Sequence, residues 1–130
     1  MTALQTVHDV PLLICDPEGE TIAGENDALD LIGNAGYSGA QWVVIPAERL
    51  DEGFFRLRTR IAGDIIQKFV NYRMGIVVLG DITRRTEASP ALRDFVLECN
   101  RGRQTWFVTG IEELTERLRN QDPARQGAGS

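Results

Sequence analysis

Three short apolar runs, Trp42-Val43-Val44-Ile45, Met74 to Leu79 and Trp106-Phe107-Val108, are each separated from the next by a longer stretch with helical spacing. Runs of this kind, too short for core helices, mark strands covered on both faces. Parallel neighbours need a crossover of about a dozen or more residues, and the intervening stretches supply it. The pattern therefore predicts a mainly parallel α/β sheet.

The rest of the chain fits around these runs. Leu4 to His8 and Val10 to Cys15 read as an opening hairpin, with a bend or tight connection near Asp9 to Pro11. Asp16-Pro17-Glu18-Gly19 is turn chemistry, and Ala28, Leu29, Leu31 and Ile32 then share one helical face as far as Gly36. Pro46 to Leu50 and Asp51 to Leu57 read as short turns. A firmer helix from Arg60 to Tyr72 carries Ile61, Ala62, Ile65, Ile66, Phe69 and Val70 on one face. Ser89-Pro90 opens another helix, a capping hydroxyl followed by a proline that loses no hydrogen bond there, and Gly102 stops it. Thr109 with Glu112 forms a capping box ahead of Ile111, Leu114 and Leu118.

The predicted order is β-β-α-β-α-β-α-β-α. It gives one α/β domain over 1–120 with a mainly parallel five-stranded sheet and an antiparallel N-terminal strand at or near an edge. Residues 121–130, rich in Gly, Ala and polar side chains, have the composition of a disordered tail.

With 14 basic against 19 acidic residues and a net charge of −5, the chain lacks a broad electrostatic grip on phosphate backbones, so nucleic acid is not an expected partner. No apolar run approaches the roughly 20 residues of a membrane span, and Met1 to Val10 lacks the plan of a secretory leader. The expected compartment is the cytoplasm. Cys15 and Cys99 suit reduced, buried thiols. A zinc site from His8, Cys15 and Cys99 would need a fourth ligand and a close-spaced pair, and Glu18, Glu20 and Glu25 read as a solvated acidic loop.

The run FFRLRTRIAGDIIQKFVNYR (Phe54 to Arg73), ECNRG (Glu98 to Gly102) and NDALDLI (Asn26 to Ile32) resemble a family of small bacterial proteins known only as a domain of unknown function. That resemblance extends up to Leu118 and implies a fold but no chemistry. More remotely, the element order and the pairing of GIVVLGD with FVTGIEEL are similar to STAS domains, the sulphate-transporter and anti-sigma-factor-antagonist group, which implies a non-enzymatic switch or binding module. The antagonists carry a phosphorylatable hydroxyl in the turn after the third strand. Here that turn reads Ile45-Pro46-Ala47-Glu48-Arg49, so the switch is not carried over; Thr59 is the nearest hydroxyl of comparable setting.

In open α/β sheets, ligands favour the crevice outside the carboxyl ends of the strands. That rule selects Arg58, Thr59, Arg60, Asp81, Arg84 and Thr109 as a ligand site for a small anion, with helix capping and solvated arginines as the alternative. At the opposite pole, Asn71, Tyr72, Arg73, Asn100 and Arg101 end two helices ahead of neighbouring strands. They form a polar surface cluster for a partner or small ligand, or else a set of helix terminators. Phe54 and Phe55, with Leu57 close by, raise the expectation of a homodimer or ligand interface, unless an irregular segment turns both into the core. The sequence carries no GxxxxGKS/T, no GxGxxG after a strand, no GxSxG elbow and a single histidine, so no cofactor is expected and no catalytic residue is assigned.

The expected function is thus a non-enzymatic cytoplasmic binding or regulatory module, acting through a protein partner or a small apolar or anionic ligand. The alternatives are a small enzyme using Asp81 with Thr59 and Arg84 or Arg58, and a homodimeric structural adaptor. A crevice holding Asp81, Thr59 and an arginine within hydrogen-bond reach would favour the enzyme.

Overall fold

The alternation of strand and helix is realised in a computed structural model that describes residues 2–121. Strands β1 (Ala3–Val7), β2 (Val10–Ile14), β3 (Trp42–Pro46), β4 (Gly75–Leu79) and β5 (Thr105–Val108) form one sheet in the order β1-β2-β3-β4-β5. Only β1 and β2 are antiparallel; every other neighbouring pair is parallel. His8 and Asp9 join the first two strands with φ of 50° and 66°, the two positive angles of a type I′ hairpin turn.

Among the described residues, five helices connect and follow the strands: α1 (Glu25–Ser38), α2 (Ile61–Asn71), α3 (Thr83–Ala88), α4 (Pro90–Arg101) and α5 (Ile111–Asn120). Because successive parallel strands step in one direction and crossovers are right-handed, α1, α2 and α4 must lie on the same face. They do: Ala28, Ile32, Ile65, Phe69 and Leu92 share a core with Val43, Ile45, Ile76, Val78 and Phe107. The alternate strand residues Leu12, Trp42, Val44, Val77, Trp106 and Val108 form a second cluster with Leu114 and Leu118 of α5. Period-two alternation along β2, β3, β4 and β5 thus feeds two separate cores.

Several boundaries differ from expectation for identifiable reasons. Helix α1 runs past Gly36 to Ser38, because Gly33 and Gly36 lie on its exposed side, and the left-handed residue that ends it is Gly39 (φ 82°). Helix α3 was not anticipated; its six polar or small residues carry no apolar period. Three 3₁₀ turns, Ala47–Arg49, Glu52–Phe55 and Leu57–Thr59, fill the stretch read as short turns. Ser89 caps α4 as expected, its hydroxyl accepting from Leu92 N at 3.2 Å. The cap of α5 is shifted by one: Gly110 is the first boundary residue, so Glu113 rather than Glu112 reaches back to Thr109. Gln121 closes α5, and the tail expected to be disordered otherwise falls on 122–130, outside the described residues.

Phe54 and Phe55 are turned into the core by the irregular segment, the alternative to the interface expected of them. They are 0% and 5% exposed. Consecutive residues of a 3₁₀ turn point about 120° apart, and here both directions are covered. Phe54 lies 6.4 Å from the Phe107 ring, while Phe55 sits under the Arg85 guanidinium, 4.3 Å from the ring centre. Arg85 is held there by a two-pronged ion pair to Glu52 at 2.6 and 2.7 Å.

Candidate functional site

The carboxyl ends of the strands do not assemble the expected site. The Thr59 hydroxyl lies 2.6 Å from the Gly53 carbonyl and 2.8 Å from that of Arg56, so it ties the 3₁₀ turns together. Arg60 is the boundary residue of α2, in the left-handed region at φ 66°. Arg58 lines a separate groove of about 550 Å³ with Leu57 and Ser89. Asp81 accepts from Thr83 N at 3.0 Å and from the Thr83 hydroxyl, a turn that leads into α3 and holds the Asp81 carboxyl below its ordinary range. Thr109 is engaged by Glu113. Among the described residues, the crevice beyond β4 and β5, about 240 Å³, has Glu113 as the charged residue in its lining and holds neither Thr59 nor an arginine. Asp81, Thr59 and an arginine are therefore not brought within hydrogen-bond reach of one another among the described residues. Arg84 lies on exposed surface of α3.

The amino ends of β4 and β5 are different. Two adjoining grooves of about 320 and 390 Å³ open there and share Arg103 and Gln121. One contains Asn100, Arg101 and Arg117, the other Gln41, Arg73 and Gln104. Among the described residues, the charged lining is four arginines, Arg73, Arg101, Arg103 and Arg117, with no carboxylate. Arg101 is paired from outside by Glu98 at 3.3 Å, leaving Arg73, Arg103 and Arg117 with no acidic partner among the described residues.

Each part of this surface has a local cause. Gly75 is required because a Cβ there would come 2.3 Å from the Trp42 ring. Without one, Trp42 and Trp106 meet over β4 with ring centres 4.3 Å apart, forming an apolar floor. The Trp106 ring nitrogen donates to Gly102 O at 2.8 Å, and the Arg117 guanidinium lies 4.7 Å above the Trp106 ring. Arg117 also donates to the Asn100 carbonyl, while its Nε is buried without a hydrogen-bond partner among the described residues. Arg73 ends α2 in the left-handed region at φ 55°, which turns the chain into β4 and leaves its side chain exposed at the groove.

The predicted polar cluster is thus brought together only in part. Arg73, Asn100 and Arg101 line the adjoining grooves, but Asn71 accepts from the Gln67 amide at 2.9 Å on the helix surface. Tyr72 faces another groove, beside Leu29, Tyr37 and Met74. The Asn100 amide is spent on edge strand β5, donating to Phe107 O at 3.2 Å and accepting from Phe107 N at 2.7 Å. Sequence reasoning missed Arg103 and Arg117. Arg103 stands just after the Gly102 helix stop and so shares the signal of Arg101, whereas Arg117 joins only once α5 folds back across the second core.

Comparison with protein families matches residues 7–118 to the family described as a domain of unknown function (DUF4180), and the chain belongs to it. No curated protein and no solved structure matches the chain.

Proposed function

We propose that the activity this membership leaves open is the binding of a small anionic ligand, bearing phosphate or carboxylate oxygens, in the arginine grooves at the amino ends of β4 and β5. The observation that carries the reading is the sign of the lining. A chain of net charge −5 gathers four arginines and no described carboxylate around two adjoining grooves. Guanidinium forks bind carboxylate and phosphate through paired hydrogen bonds, and the floor of stacked indoles would take a flat apolar portion of the ligand.

The reading is of a binding module rather than an enzyme. The described lining is arginine, amide, glycine, methionine and indole, with no carboxylate, thiol or imidazole to act as base or nucleophile. The hairpin-led, otherwise parallel sheet supports the likeness to STAS modules. A cytoplasmic setting fits the free thiols Cys15 and Cys99, which burial pushes above their ordinary values. No helix among the described residues is long and apolar enough to cross a membrane. A protein partner is the second reading, favoured by Tyr37 and Tyr72, 96% and 59% exposed beside the groove between α1 and α2.

Both tryptophans of the chain lie in the arginine grooves, so intrinsic fluorescence reports directly on them. Titration with pyrophosphate and with citrate should give a saturable change that weakens as salt is added. Losing one charged hydrogen-bonding group costs about 1.5–3 kcal/mol, so Arg103→Ala should weaken binding roughly 10- to 100-fold, with Arg84→Ala as the silent control. Equal affinity in the wild type and Arg103→Ala would refute the site.

A further inference from the structure

The two edges of the sheet are treated differently. At β5 the Asn100 amide makes both hydrogen bonds that a neighbouring strand would make at Phe107. Strand β1, Ala3–Val7, has no such guard among the described residues, and its first four residues are exposed. It carries no charge and no proline, the features that usually deter strand addition.

Which backbone groups face outward follows from the ladder. Pro11 O accepts from Gln41 N at 2.8 Å, and Cys15 N donates to Val44 O at 2.9 Å, so odd-numbered residues of β2 turn toward β3. Val10, Leu12 and Ile14 therefore turn toward β1, where they face Val7, Gln5 and Ala3. The type I′ turn requires the same phase, because it closes on a hydrogen-bonded Val7–Val10 pair. The N–H and C=O groups of Leu4 and Thr6 are left pointing out of the sheet.

We propose that this edge pairs with β1 of a second copy of the chain, antiparallel and centred on Gln5, joining the two sheets into one. In that register Leu4 faces Thr6 of the second copy and Thr6 faces its Leu4, so all four outward groups on each strand find partners. Gln5 opposes Gln5, and no like charges meet, which matters for two chains that each carry a net charge of −5. The side chain of Leu4, 49% exposed, gains cover from the incoming strand. One five-residue strand is small beside a standard interface of about 1,200–2,000 Å², so the dimer is weak and reversible.

The experiment is sedimentation velocity on the untagged chain over rising concentration, with amide hydrogen exchange at the two extremes. The apparent mass should climb toward twice the monomer mass, with exchange slowing at Leu4 and Thr6 in step. Thr6→Pro deletes one outward N–H and leaves the inward ladder intact, and should weaken association at least tenfold without loss of circular dichroism. Should that variant unfold, exchange in the wild type decides alone. A wild-type chain that stays monomeric up to about 1 mM, as it would if the edge served a strand of another protein, overturns the proposal. So does a dimer in which the Leu4 and Thr6 amides exchange as fast as in the monomer.

Discussion

Arg73→Gly should make the protein more stable while weakening its ligand site. Helix α2 ends with Arg73 N bonded to Val70 O at 3.0 Å and Met74 N to Phe69 O at 2.9 Å, the paired bonds of a Schellman motif. Helix α1 ends in the same way, with Gly39 N to Gly36 O at 3.1 Å and Ala40 N to Ala35 O at 2.8 Å. The residue that must be left-handed is glycine in α1 and arginine in α2. A left-handed conformation costs a residue with a Cβ about 1–2 kcal/mol, and glycine returns about 0.4–1 kcal/mol of that through the greater freedom of its unfolded chain. The net gain should be about 0.5–1 kcal/mol, or roughly 2–4 °C in Tm for a domain of this size. Arg73→Ala keeps the backbone cost and should lie within about 0.5 kcal/mol of wild type. Urea unfolding followed by tryptophan fluorescence measures both variants, with the slope on denaturant expected to stay constant. A glycine variant no more stable than the alanine variant would refute the backbone reasoning. Equal loss of pyrophosphate affinity in both would show that the guanidinium, not the turn, serves the groove.

Two further outcomes are expected. Gly75→Ala pushes a methyl group into the Trp42 ring and should cost about 1–3 kcal/mol, with loss of the near-ultraviolet dichroism that the stacked Trp42–Trp106 pair produces. Glu52, whose ordinary pKa of 4.5 is lowered by its hydrogen bonds to Arg85, stabilises the fold above that value, and the contribution disappears as pH falls through the depressed folded value. Melting curves of wild type and Glu52→Gln should therefore differ near neutrality and converge in acid; a constant gap would contradict the linkage.

The sheet was legible because each strand from β2 to β5 must satisfy two cores at once. Val43, Ile45, Ile76 and Val78 feed the face beneath α1, α2 and α4, while Val44 and Val77 feed the face beneath α5, so the runs had to be continuously apolar. Helix α3 and the first turn of α5, which lack that constraint, were less legible. Helix α3 buries none of its residues, and the shift of the α5 cap turns on one backbone position at Gly110. The strand-end site failed for a different reason. Thr59, Asp81 and Thr109 each had a local hydrogen-bonding use within six residues, and those uses took precedence over convergence on a ligand.

The stretch Asn71-Tyr72-Arg73 shows why composition alone cannot assign a cluster. Three consecutive polar residues at a helix end diverge, because the left-handed turn at Arg73 breaks the helical phase. Asn71 remains on the helix surface with Gln67, and Tyr72 falls toward α1. Arg73 alone swings to the sheet end, where Arg103 and Arg117 arrive from elements later in the chain. The same turn that separates the triplet therefore places its one cation at the arginine grooves. A glycine would make that turn at lower cost but could supply no charge, which ties the stability of α2 and the affinity of the site to a single residue.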